Sequence, residues 1–136
     1  MNTKPQQTDI MSFVCSDDAQ ALVDFARDNG YKLKSLGLST SQIRNVFARA
    51  RQIEAIRRRE DFVKLRTQLQ LLKPRLAYLV AKENKDGVRH LRDVLEKAID
   101  CVFEGDPDDP ELTKRFDRFM ELFEALLAYH REAGGR

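Results

Sequence analysis

Three arginines recur at intervals of seven residues within LSTSQIRNVFARARQIEAIRRRE, the segment that spans residues 38–60. They are Arg44, Arg51 and Arg58. On an α-helix their guanidinium groups fall within about 40° of one another and rise by about 10 Å from one to the next. Cations at such intervals on a rigid element can bind successive phosphates without reading bases. The spacing predicts a nucleic-acid backbone contact, with a merely solvated helix face as the alternative.

Further cations follow in the next two helical segments. They are Lys73, Arg75, Lys82, Arg89 and Arg92. Aromatic residues on which bases could stack are scarce outside the predicted core, and only Tyr31 and Tyr78 are candidates. We therefore expect contact with a phosphate backbone rather than recognition of a base sequence.

Residues that could act in catalysis are few. Neither histidine, His90 or His130, follows an arginine by four to six residues, the spacing used by helical ribonucleases of the HEPN type. Asp86, His90 and Asp93 share one helical face, but Gly87 interrupts it, so a surface histidine beside carboxylates is simpler than a metal site. His130 would lie in the last turn of the final helix, where a cation favours the dipole. We expect no catalytic residue, no metal and no cofactor.

Helical periodicity dominates the chain, and no segment alternates convincingly with period two. We predict five helices: one from about Asp17 to Asn29, one capped by Ser39 or Thr40, one from Phe62 to about Asn84, one carrying apolar residues 88–102, and one capped by Asp109 that stops at Gly134. Short loops between them predict an all-α bundle, kinked near Pro74. Residues 1–15 are expected to be flexible, 16–133 to form the single domain, and 134–136 to be a flexible tail.

Charge is distributed unevenly along the chain, although the net charge is only +2. Residues 32–92 hold 16 Lys and Arg against 5 Asp and Glu, residues 93–136 hold 6 against 12, and residues 1–31 hold 2 against 5. Such a chain could offer a basic surface to a polyanion and an acidic one to a neighbour, or stack head to tail on copies of itself. Alternatively, the two blocks neutralise each other within the fold.

Two features bear on the compartment in which the chain works. Cys15 and Cys101 form no CxxC pair, as expected of reduced thiols in a cytosol. The first residues contain no apolar stretch of the signal-peptide kind, and no segment approaches about 18 apolar residues. We therefore expect a cytoplasmic protein without a membrane partner.

Two stretches resemble the signature segments of a known family, the small helical subunit of the type III-A CRISPR effector, or Csm complex. They are LSTSQIRNVF at 38–47 and LKPRLAYLVAKE at 72–83. The final segment, FDRFMELFEALLAYH at 116–130, is similar to the closing helix of that family. The second segment departs from the family pattern at Ala81 and Lys82, where glycine and then arginine are more usual. Lys82 keeps the charge but lacks the bidentate guanidinium.

The resemblance implies a non-catalytic subunit. In that family the small subunits stack in a row along the effector, beside the backbone subunits that hold the guide RNA, and line the channel where target RNA pairs with it. The implied partners are copies of the chain, the backbone and large subunits, guide RNA and target RNA. The candidate RNA-binding residues are Arg44, Arg51, Arg58, Arg75, Lys82 and Arg89. The family segments supply Arg44, Arg75 and Lys82, whereas the other three rest on helical spacing and charge.

Two other functions stay open at this point. A helical adaptor or a homodimer without nucleic acid could use the leucines at 65, 69, 72 and 76 as its interface, although the same spacing serves a bundle core. A helical nuclease would require an activity that disappears when His90 is replaced.

Overall fold

The computed structural model of the chain describes residues 7–134, and within them the backbone forms six α-helices and no strand. The helices are α1 (Gln7–Val14), α2 (Ala19–Ser35), α3 (Thr40–Arg58), α4 (Phe62–Glu83), α5 (Asp86–Phe103) and α6 (Asp109–Glu132). Short connections join them, and their apolar residues meet in one core. The prediction of an all-α, single-domain bundle is therefore confirmed, with one helix more than expected.

The helix α5 packs against four others, α1, α2, α4 and α6. Its apolar residues are buried over most of its length, including Leu91, Val94, Leu95 and Ile99. From α6, three fully buried phenylalanines complete the core: Phe116, Phe119 and Phe123. Each such side chain contributes on the order of 1.5–3 kcal/mol by leaving water, so this apolar contact is the main force that holds the helices together.

Side chains cap both helices for which the sequence names a cap, but only one of the two caps lies at a predicted residue. Ser39 caps α3 with its hydroxyl oxygen, which accepts from the Gln42 backbone N–H at 3.1 Å, and the Gln42 side chain returns a bond to the Ser39 N–H at 2.9 Å. For α6 the prediction is wrong by one residue. Asp108, not Asp109, is the cap, and its carboxylate accepts from the Glu111 N–H at 3.0 Å.

The predicted end of α2 at Asn29 and Gly30 is wrong, because the helix continues to Ser35. Gly30 is buried where α2 crosses α6, and a Cβ added there would lie 2.7 Å from the Tyr129 Cβ and 3.0 Å from the His130 nitrogen. The absence of a side chain therefore allows two helices to approach closely, and in this helix the glycine is not a stop signal.

The structure differs from the expected flexible segment at residues 1–15. Residues 7–14 form α1, whose Ile10, Phe13 and Val14 are buried against α5 and α2. The Phe13 ring lies 5.4 Å from the Phe25 ring, measured between centroids. Three apolar residues in a polar stretch are enough to dock a short helix when the core is already formed. Residues 1–6 and 135–136, including most of the predicted tail, lie outside the described residues.

The helix α4 continues through Pro74 as a single element. Its leucine seam, formed by Leu65, Leu69, Leu72 and Leu76, is buried in the core. The proline lies on the exposed side, where water can reach the carbonyl that loses its intrahelical donor. A bend at this position stays a prediction. Asn84 ends the helix with a left-handed conformation, φ 47°.

Candidate nucleic-acid interface

The helices α3 and α4 pack side by side and leave an open groove on the surface between them. Apolar side chains from the facing sides of the two helices form its floor, among them Val46, Ile53 and Leu72. Two adjoining depressions make up the groove, and both are lined by Arg49, Leu72 and Arg75, so the groove is continuous along the helices.

Four cations line this surface, which we call the basic groove: Arg49, Lys64, Arg75 and Lys82. No carboxylate is among its lining residues in the described part of the chain. Within residues 7–134 none of the four side chains makes a hydrogen bond or an ion pair. Along α4, Arg75 and Lys82 are seven residues apart, a rise of about 10 Å. Tyr78, which is 71% exposed, lies between them.

The predicted RNA-binding residues divide among three places. Arg75 and Lys82 lie in the basic groove. Arg44 and Arg51 line a different depression, between α3 and α6, because they project from α3 about 140° to 160° away from Arg49. Arg58, the last residue of α3, and Arg89, on α5, line neither surface. The structure therefore does not bring all six residues together on one face.

Three of the six predicted cations already have carboxylate partners. Arg51 donates to Glu54 at 2.7 Å, and Arg58 shares the same carboxylate at 3.3 Å. The hydrogen bond that Arg51 donates to Glu54 raises the pKa of its guanidinium, which also lies 5.0 Å from the centroid of the Phe47 ring. These guanidinium groups have fewer donors left for a phosphate than one that has no partner.

The third is Arg89, which pairs with Asp86 at 2.9 Å and also donates to the Asn84 side chain. By contrast, Arg44, Arg75 and Lys82 have no hydrogen bond or ion pair among the residues that the structure describes. These are the three residues that the family segments supply.

Two members of the basic groove, Arg49 and Lys64, are absent from the sequence prediction. Arg49 belongs to the arginine-rich segment but falls outside its seven-residue row, and it joins the groove because it projects towards α4. The sequence prediction missed Arg49 because it did not take into account where the next helix, α4, packs against α3. Residues 49, 53 and 56 of α3 share a side with the buried apolar stripe, which indicates the direction of a neighbouring helix.

Other cations of the basic block are bound by acids of α5 and α6. Arg57 makes a bidentate contact with Asp117, at 3.0 and 2.8 Å. Arg66 pairs with Asp109, and Lys73 pairs with Asp100. Part of the charge separation in the sequence is thus neutralised within the fold, while the basic groove is not.

Both histidines are buried and hydrogen-bonded, so the prediction of a surface His90 is wrong. His90 Nε2 lies 2.8 Å from the Asn29 Oδ1, and burial lowers the pKa of the imidazole. His130 is not exposed at the helix end either, since its Nε2 donates to the Leu38 carbonyl at 2.6 Å. Across residues 7–134 no group of three His, Cys, Asp or Glu side chains is placed to hold a metal ion.

No helix of the described chain is long and apolar enough to cross a membrane.

The fold and the site together define the class of protein: it is a small helical protein with a basic groove between two neighbouring helices. A family model described as Csm2 Type III-A matches residues 16–136, which is nearly the whole chain. The chain belongs to this family, the structural small subunit of the type III-A CRISPR complex, and the resemblance drawn from the sequence is confirmed. Comparisons with curated proteins and with solved structures found no match. The matched part begins after α1.

Proposed function

We propose that this Csm2 chain stacks with copies of itself along the effector complex and holds an RNA backbone in the basic groove. One observation carries the proposal: Arg49, Lys64, Arg75 and Lys82 line one continuous groove, without a carboxylate and without partners in the described chain. Four unneutralised cations in one place raise the energy of an isolated subunit slightly and favour a polyanion. RNA is the polyanion of a CRISPR effector.

The groove favours contact with phosphates over recognition of bases. Its cations are long and lie on the rims of two rigid helices, so they can bind phosphates about 10 Å apart on an extended strand. Tyr78 offers an exposed ring on which one base could stack, a contact that tolerates any base. A subunit built this way supports pairing between guide and target RNA of every sequence.

The arginine row of α3 serves as a second, weaker track in this proposal. Arg44 has no partner in the described chain, but Arg51 and Arg58 share Glu54 and would have to exchange one anion for another. Arg89 is held by Asp86 in the same way. We therefore expect contributions from these three paired cations that are smaller than those of Arg75 and Lys82.

We infer the remaining parts of the proposal from the family to which the chain belongs. The subunit is non-catalytic, works in the cytoplasm, and has as partners the backbone and large subunits of the Csm complex, copies of itself, guide RNA and target RNA. An adaptor without nucleic acid finds less support, because the leucine seam it would use is buried in the core of its own chain.

The test compares two matched double charge reversals in the reconstituted effector complex. Arg75→Glu with Lys82→Glu alters the basic groove, and Arg51→Glu with Arg58→Glu alters the arginine row by the same net charge. We expect the groove variant to weaken target-RNA binding by at least about tenfold, since two charge-assisted contacts are lost. The row variant should weaken it less.

Assembly of each variant is checked by co-purification of the other subunits, and its folding by the thermal melt of the isolated subunit. A groove variant that assembles and binds target RNA as tightly as the wild type would refute the groove as the RNA site. Equal losses of target-RNA affinity in both variants would mean that the arginine row contributes as much to RNA binding as the basic groove.

A further inference from the structure

The outward side of α4 carries no charged residue. Val63, Thr67 and Leu71 follow one another at intervals of four, and Pro74, Tyr78 and Ala81 continue the same side towards the end of the helix. All six are exposed, and Val63 and Leu71 are 79% and 44% exposed. Helical surface in contact only with water is usually charged or polar. An apolar row of this length therefore indicates a surface that another molecule covers.

We call the first three residues, Val63, Thr67 and Leu71, the α4 ridge. Lys64 lies beside it without a partner among the described residues, and Arg66 follows on its other side, bound to Asp109. The ridge is thus an apolar surface with one unpaired positive charge, that of Lys64, at its border. A complementary surface should be a groove with apolar walls and negative charge at its borders.

The same chain has such a groove where α1, α2 and α6 meet. Its apolar lining includes Ala19, Leu22 and Val23, and Val23 is 36% exposed. Three carboxylates border it: Asp17, Asp18 and Glu121. We call these six residues the acidic groove.

The charge of the acidic groove is available to a neighbour. Its one lining cation, Arg118, pairs with Asp17 and donates to the Val14 carbonyl, so the net negative charge comes from Asp18, which caps α2, and from Glu121. Glu121 is exposed and has no hydrogen-bonding partner within the described part of the chain. A net negative border therefore faces solvent.

We propose that the α4 ridge of one copy sits in the acidic groove of the next copy, a contact that specifies the proposed stacking and rests on it. Val63 and Leu71 cover Val23 and Leu22 of the neighbour, and the Lys64 ammonium faces its carboxylates. The apolar centre contributes affinity, and the charges set the orientation of the two copies.

Two different surfaces of the chain meet in this contact, so it is head to tail. The ridge belongs to α4, which packs on α3 and α5, whereas the acidic groove belongs to α1, α2 and α6. A row of copies keeps a free ridge at one end and a free groove at the other, and the contact repeats along the row. Within such a row Arg49, Arg75 and Lys82 stay available to RNA, whereas Lys64 faces the neighbour's carboxylates and serves the basic groove only in the isolated subunit.

The test measures the mass of the purified full chain by sedimentation over a concentration series. Val63→Asp removes the ridge, Val23→Lys removes the acidic groove, and Ser41→Asp is a control at an exposed position outside both. The two new aspartates lie in the first turns of α4 and α3, where a carboxylate favours the helix, so folding should be retained. Thermal melts check folding for all three variants.

We expect the wild type and the control to associate with rising concentration, and each contact variant alone to associate at least about tenfold more weakly. An equimolar mixture of Val63→Asp and Val23→Lys should form a dimer and nothing larger, because one chain supplies the only intact groove and the other the only intact ridge. Contact between two ridges predicts the opposite result, namely a Val23→Lys chain that associates like the wild type and a mixture without a new dimer.

A wild-type chain that stays monomeric at millimolar concentration, or a mixture without a dimer, overturns the ridge contact. The RNA proposal is retained in that case if Arg75→Glu with Lys82→Glu still weakens the binding of target RNA by the complex. Conversely, intact self-association with unaltered RNA binding in that double variant refutes the groove as the RNA site and retains the ridge contact.

Discussion

Burial changes the behaviour of His90. The imidazole is 8% exposed and donates from Nε2 to the Asn29 Oδ1. Burial lowers its pKa, Asp93 opposes the shift, and Lys32 and Lys97 reinforce it. In the unfolded chain the same histidine titrates near its ordinary pKa of about 6.5. Between these two pKa values the unfolded state binds more protons than the folded state, so folding is less favourable at the lower pH.

We predict that the free energy of unfolding falls as the pH is lowered from about 7.5 to about 5.5. One proton limits the slope to about 1.4 kcal/mol per pH unit. Urea unfolding at a series of pH values measures it. The His90→Gln variant keeps an N–H for Asn29 but does not titrate, so its stability should decline less. Parallel curves for the two proteins would assign the pH dependence to other groups.

The place of a residue in the site could be predicted from the sequence only where it does not depend on the packing of another helix. Arg75 and Lys82 could be named because a family segment includes them, and both lie in the basic groove. Arg49 could not, since its membership depends on where α4 packs against α3. The same limit applies to His90, which is polar by type and yet faces α2 because its helix is buried on nearly every side.

Capping at the start of α3 is the clearest relation between sequence and an element of this fold. Ser39 makes both bonds of a capping box with Gln42, whereas the adjacent Thr40 hydroxyl is buried and finds no hydrogen-bond partner within the described residues. The two neighbouring hydroxyls therefore have opposite energetic consequences.

We predict that Ser39→Ala lowers the free energy of unfolding by about 1 kcal/mol, because an N–H of the first turn loses its acceptor. Thr40→Val, which replaces an unsatisfied hydroxyl by a methyl group of the same shape, should be neutral or slightly stabilising. Urea unfolding of both variants measures the difference. Equal destabilisation by the two changes would contradict the assignment of Ser39 as the cap.

Element boundaries were predictable where a local signal set them and unpredictable where packing did. The capping box and Asn84 mark the start of α3 and the end of α4 by their own chemistry. In α2, Gly30 is a residue type that often ends a helix, but here it allows close contact with Tyr129, about 100 residues away in the sequence. The helix α1 has weak propensity of its own and is held by burial of Phe13 and its neighbours.

At the scale of the whole molecule, the net charge of +2 does not show that the cations fall into two groups, according to the direction in which they point. Cations of α3 and α4 that point inward meet acids of α5 and α6, as in Arg57 with Asp117 and Lys73 with Asp100. The cations that point into the basic groove meet none. Neutralisation within the fold is thus confirmed for some residues, a polyanion at the others stays a prediction, and only the fold decides which residue belongs to which group.

This sorting predicts that RNA affinity depends on salt through the basic groove and not through bulk charge. Four phosphate contacts on a single strand give a slope of about −3 in log affinity against log salt concentration, and two contacts give about −1.5. Arg75→Gln with Lys82→Gln should therefore halve the slope for the isolated subunit. Fluorescence anisotropy of a labelled single-stranded RNA in increasing potassium chloride measures it.

The matched control removes the same two charges elsewhere, with Arg27→Gln and Lys114→Gln on the exposed surfaces of α2 and α6. If the groove binds the strand, this control keeps the slope of the wild type, because counterions are released only where phosphates meet cations. If attraction by bulk charge is responsible, both double variants flatten the slope equally, and the proposal of a defined RNA path between α3 and α4 fails.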